Sequence, residues 1–62
     1  MIRFKLITNS GSTFGFQDQK TTDITVAFAS AILEVNSYHL KQIDIYNDSK
    51  LIASVYGQVT TN

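Results

Sequence analysis

A chain of 62 residues with five basic and five acidic side chains, 44% hydrophobic residues, no cysteine and no proline reads as one small neutral domain, residues 1–62. Disulfides and thiolate metal sites are excluded, a structural zinc lacks ligands when the chain holds one histidine, and balanced charge argues against binding a polyanion by bulk electrostatics. A domain of this size buries only about 60% of the surface its unfolded chain exposes, so packing or self-association must supply the stability that a staple supplies elsewhere.

The chain opens on Ile2, Phe4 and Leu6 alternating with Arg3 and Lys5, the period of a half-buried strand. No apolar leader core is present and no apolar run approaches the ~20 residues of a membrane span, so a cytoplasmic protein is expected. Phe14 and Phe16 resume the alternation after Asn9-Ser10-Gly11, which suits a three-residue hairpin loop with glycine in the left-handed last position. That loop sets Leu6 opposite Phe14 and Phe4 opposite Phe16, all on one face. Gly15, between the two phenylalanines, is expected to mark a strand irregularity or a close backbone approach rather than a phosphate loop.

Ile24, Phe28, Ala31, Ile32 and Val35 follow i, i+4, i+7, i+8, i+11 and predict one core-facing stripe of a helix of about 14 residues. Thr21 or Thr22 is the expected N-cap, with Asp23 in the first turn and the end at Asn36 or Ser37. Val26, Ala29 and Leu33, on a second face, extend the core or meet a partner.

The remainder predicts a second hairpin, with Ile43 and Ile45 leading into a turn within Tyr46-Asn47-Asp48-Ser49-Lys50 and Leu51, Ala53 and Val55 leading out. A loop of three or five residues keeps those five on one face; a two-residue Asp48-Ser49 loop instead pairs Tyr46 with Leu51 and Ile45 with Ile52. The odd loop is preferred for its unbroken apolar face.

The resulting order, ββαββ, predicts a two-layer α+β domain, a four-stranded sheet packed on one helix. Its element order and size resemble the β-grasp arrangement of small immunoglobulin-binding bacterial domains and of ubiquitin. The resemblance implies that the first and last strands are central and parallel, and that Thr13 to Asp18 and Lys41 to Tyr46 form the edges. It carries no residue motif and transfers no function.

Catalytic equipment is thin. His39 is a lone histidine in the loop after the helix, and no serine sits in a G-x-S-x-G elbow. Asp18, Asp23, Glu34, Asp44 and Asp48 each have a local place and none is paired by spacing. Counting a calcium loop from Asp44 puts Tyr46, Ser49 and Val55 where ligands or glycine belong. No cofactor, no metal and no enzymatic activity are expected.

The surface to suspect is the sheet face away from the helix, carrying Arg3, Lys5, Ile7, Tyr46, Ile52 and Tyr56. Tyrosine and arginine are enriched at interface hot spots, and an apolar patch on a small protein marks a contact more often than an accident. The expected function is stoichiometric binding of a protein partner, with a homodimer in view and a sheet edge as a second contact route. Size and Ile/Asn/Ser/Thr richness suggest a phage or mobile-element inhibitor of a host protein. The alternatives are a single-stranded nucleic-acid module that stacks bases on the open sheet face and a structural subunit of a larger assembly.

Overall fold

The computed structural model describes residues 1–57. Strands β1 (Ile2–Ile7) and β2 (Thr13–Asp18), helix α1 (Ile24–Ser37), and strands β3 (Gln42–Asn47) and β4 (Lys50–Tyr56) follow in the expected ββαββ order, and one antiparallel sheet lies under one helix. Ile2, Phe4, Leu6, Ile43, Ile45 and Val55 of the sheet meet Ala27, Ala31 and Val35 of the helix in the core, with Leu40 closing one end.

The first loop forms as its glycine dictates. Thr8 N–H donates to the Ser12 carbonyl at 2.9 Å, Gly11 N–H donates to the Thr8 carbonyl at 2.9 Å, and Gly11 takes φ 89°. Beyond Ile7↔Thr13, however, the ladder slips by one residue, so that Leu6 opposes Gly15, Lys5 opposes Phe16 and Phe4 opposes Gln17. Phe14 is the extra residue. The slip turns Phe16 to the face away from the helix, because side chains alternate with period two. Gly15 stands next to this irregularity, the first of its two expected roles; the second, a close backbone approach, is not met, since a Cβ there would find nothing within 4 Å.

The second hairpin turns on Asp48 and Ser49, both at positive φ (51° and 67°), with Tyr46↔Leu51 and Asn47↔Lys50 beside them. The expected odd loop is thus replaced at the tip by the two-residue turn, whose twist matches that of the flanking strands. A bulge at Ile52 then restores Ile45↔Ala53 and Ile43↔Val55. The core face gains what the odd loop would have given it, except that Leu51 joins Tyr46 on the opposite side.

Sheet order is β2-β1-β3-β4, which corrects the β-grasp expectation. β3, not β4, lies beside β1, so the edges are β2 and β4. The packing explains the choice: Phe4 opposes Ile45 and Leu6 opposes Ile43, large against large, and all four are buried. β4 offers Ala53 at the middle of its inward face, which beside Phe4 would leave a void that close-packed interiors do not tolerate.

Helix α1 spans the expected 14 residues. Its N-cap is Asp23 itself, whose carboxylate accepts from the N–H of Thr25 at 2.9 Å and of Val26 at 3.3 Å, while Thr21 Oγ1 accepts from Asp23 N–H. The expectation of a threonine cap fails because a carboxylate here answers both the orphan amides and the positive helix end. At the other end Leu40 N–H donates to the Val35 carbonyl and His39 N–H to the Asn36 carbonyl, with His39 left-handed at φ 56°. This is the Schellman arrangement, normally closed by glycine. His39→Gly is expected to stabilise the fold by about 0.5–1 kcal/mol by relieving the Cβ contact of the left-handed region, read as a higher urea midpoint at unchanged slope.

The core stripe of α1 is Ala27, Ala31 and Val35, rotated from the expected one. Small residues let the helix come close to the sheet. Ile24, Phe28 and Ile32 move to its flank, and they stay out of the core with Val26 and Leu33: these five are 41% to 70% exposed.

Candidate functional site

The outer sheet face is a grid fixed by register. One row holds Asp18, Arg3, Tyr46 and Leu51; the next holds Phe16, Lys5, Asp44 and Ser54; the third holds Thr13, Ile7, Gln42 and Tyr56. Of the residues expected to form one contact surface, Arg3, Lys5 and Tyr46 come together, lining a shallow depression of about 430 Å³ with Phe16. Ile7 and Tyr56 share the far row but stand apart, with Gln42 between them, since β1 and β4 are not neighbours. Ile52 sits in the bulge and belongs to no row. Ile7, Ile52 and Tyr56, expected on the same face as Arg3, Lys5 and Tyr46, are therefore not brought together.

Each base on this face has an acid beside it. Arg3 Nε donates to Asp18 Oδ1 at 2.6 Å, and its guanidinium lies 5.8 Å from the Phe16 ring centroid. This hydrogen bond holds the Asp18 carboxyl below its ordinary range. The folded value is depressed, so the pair contributes above the unfolded value and is lost as pH falls; both groups are solvated, which makes the contribution small. Lys5 lies across from Asp44, which is buried and accepts from Gln42 Nε2 at 2.6 Å and Ser54 Oγ at 2.7 Å. Asp44 thus ties β3 to β4 on the face away from the core.

The opposite layer is asymmetric. α1 packs on β4, β3 and β1, and among the described residues none of its Cα atoms comes within 8 Å of one in β2. An open groove of about 630 Å³ remains there, between β2 and the helix end, lined by Leu6, Phe14, Gln17, Ser37, Tyr38 and Leu40 among others. Phe14, the bulged residue, is 73% exposed at its rim. With Ala31 facing the sheet, a step of about 100° per residue puts Ser30, Glu34 and Ser37 on one flank and Phe28 and Ile32 on the other. Ser37 lines the β2 groove, so the polar flank faces β2 and the apolar flank faces β4.

Glu34 is the only charged residue of α1. Its Oε1 is buried with no hydrogen-bond partner among the described residues, and burial raises its carboxyl above the ordinary value. A raised acid favours folding fully below the unfolded value and loses that contribution as pH rises through the folded one. Glu34→Gln is therefore expected to be more stable than the parent at pH 7, with the gap closing below pH 4; urea midpoints at both pH values measure it.

Among the described residues no group of three His, Asp or Glu side chains could hold a metal ion, and no helix is long and apolar enough to cross a membrane. His39 is spent on ending the helix, with its carbonyl accepting from Asn9 Nδ2 at 2.8 Å. The features that sequence reasoning missed are Phe16 and Leu51 on the outer face, and both follow from one-residue bulges. The second apolar face expected of the helix is there, and of the two uses expected for it the core is not one, since Val26 and Leu33 stay exposed. Comparison with family models, with curated proteins and with solved structures finds no match for this chain.

Proposed function

We propose that this chain is a non-enzymatic protein-binding module that acts stoichiometrically in the cytoplasm and docks through the outward ridge of α1. One observation carries the reading. α1 is apolar on its outward ridge and on one flank as well as toward the core, with Glu34 its single charge, yet only Ala27, Ala31 and Val35 are buried. A helix whose apolar residues reach so far round it has more than one face to cover. Val26, Ala29 and Leu33 form a ridge at i, i+3, i+7, the spacing with which an amphipathic helix meets an apolar groove. Inhibition of a host protein, as the composition suggests for a phage or mobile element, is one form this docking takes.

The test uses the chain as bait against extracts of its native cells, alongside Val26→Asp/Leu33→Asp. Both side chains are exposed, so the variant keeps its core. The expected result is a near-equimolar partner held by the parent and lost by the variant. A partner retained equally by both contradicts the ridge.

A second reading has one observation in its favour: Phe16, Arg3, Lys5 and Tyr46 bring two aromatic rings and two cations together on an open sheet, as base stacking requires. Salt-dependent oligonucleotide binding abolished by Tyr46→Ala supports it. The acids beside both cations weigh against it.

A further inference from the structure

The geometry points to a two-fold homodimer built by antiparallel pairing of β4 with β4 of a second copy, which places the apolar flanks of the two α1 helices side by side. This contact uses a different surface from the helix ridge and stands or falls separately from it.

Three features converge on β4. It is an edge, paired only to β3 among the described residues, so one side of its backbone is unbonded. Unpaired edges are usually blunted by charge, proline or a bulge. From Leu51 to Gly57 the strand has neither charge nor proline, and its bulge at Ile52 lies at the turn end, leaving Ala53 to Tyr56 regular. The other edge, β2, also has its bulge at the turn end, at Phe14, and differs in carrying the charge of Asp18.

By the helical period, Ile24, Phe28 and Ile32, half-exposed at i, i+4, i+8, lie on the flank of α1 turned away from the β2 groove, toward β4. A strand pairing there continues the sheet, and a two-fold axis perpendicular to the sheet brings a second helix to the same face. The same three residues then meet their counterparts, an apolar seam without charge.

The chemistry selects the occupant. A charge-depleted apolar contact that extends a core is the character of permanent interfaces rather than of transient ones. A small domain that leaves this much apolar surface outside its own core needs its cover continuously, and the partner always present is another copy of the chain. An isologous contact also needs no charge complement.

The pleat fixes the axis. Core faces stay together only if the two-fold passes through one residue position rather than between two. At Ser54 it sets Ala53 against Val55 of the second copy and keeps these pairs within the regular part of β4.

Because the chain has no cysteine, single cysteines report this directly. Directly opposed antiparallel residues have Cα atoms about 4.5–5.5 Å apart, within disulfide range. Ser54→Cys is expected to form a covalent dimer on mild oxidation, and Thr13→Cys on the other edge is not. Light scattering across a dilution series is expected to give a dimer for the parent and a folded monomer for Phe28→Lys/Ile32→Lys. Since Ser54→Cys weakens the bond to Asp44, the parent itself gives a second reading: β4 amides not bonded to β3 exchange slowly in the dimer and fast after dilution. A parent monomeric at every concentration overturns the proposal, as does a dimer cross-linked through Thr13→Cys and not Ser54→Cys. Loss of the ridge partner with the dimer intact concerns the ridge alone.

Discussion

Phe4→Ala is expected to leave the chain largely unfolded in water. Phe4 is 0% exposed at the middle of β1, opposite Ile45 on one side and Gln17 on the other, under the alanine stripe of α1. Truncating a buried phenylalanine costs about 3–5 kcal/mol, because the lost transfer energy adds to a cavity that the sheet cannot close. A chain of this length has a total stability of about 3–9 kcal/mol at the usual 0.05–0.15 kcal/mol per residue. The loss is therefore comparable to the whole. Urea unfolding followed by circular dichroism is expected to show no folded baseline or one displaced by most of the parent midpoint. A shift below about 1 kcal/mol would contradict the assignment of Phe4 to the centre of the core.

Gly57→Ala is expected to be the most damaging change outside the core, at about 1–3 kcal/mol, the range of overpacking. A Cβ on Gly57 would run into the carbonyl oxygen of Leu40 and would stand 3.6 Å from Val35 Cγ2. Neither backbone can yield easily. Leu40 N–H is held by the Val35 carbonyl, and Gly57 N–H donates to the Lys41 carbonyl at 2.9 Å. Gly15→Ala is the matched control, since a Cβ there meets nothing within 4 Å. Its expected effect is within about 0.5 kcal/mol, the range of surface substitutions. Equal losses at the two positions, compared by thermal unfolding, would remove the close approach as the cause.

Element types and boundaries were legible where local chemistry decides them. Asn9-Ser10-Gly11 names its own loop, and the helix has the expected length and ends at Ser37 as expected, although Asp23 rather than a threonine caps it and His39 closes it where glycine is usual. Sheet order was not legible, because the same hairpin directions serve β3 or β4 beside β1; only the bulk of Ile43 and Ile45 against Phe4 and Leu6 separates the two. The helix orientation was misread for a related reason. Ile24, Phe28 and Ile32 share a stripe, but Ala27, Ala31 and Val35 share another at the same i, i+4, i+8 spacing, and the smaller set wins the sheet by allowing closer packing.

The candidate surface suffered from single-residue slips. A bulge at Phe14 moves Phe16 across the sheet, and one at Ile52 sends Leu51 to the outer face, changes that alternation alone cannot reveal. Arg3, Lys5 and Tyr46 survived as neighbours because β1 and β3 pair without interruption.

The most direct measurement of the central claim, that a protein partner covers the α1 ridge, is the thiol-labelling rate of Leu33→Cys. Leu33 is the most exposed large apolar residue of the helix, and the chain offers no competing thiol. The account predicts fast labelling in the purified protein and slow labelling in native cell extract, with the fast rate restored by adding Val26→Asp to the same chain. Equal rates in both settings would contradict it.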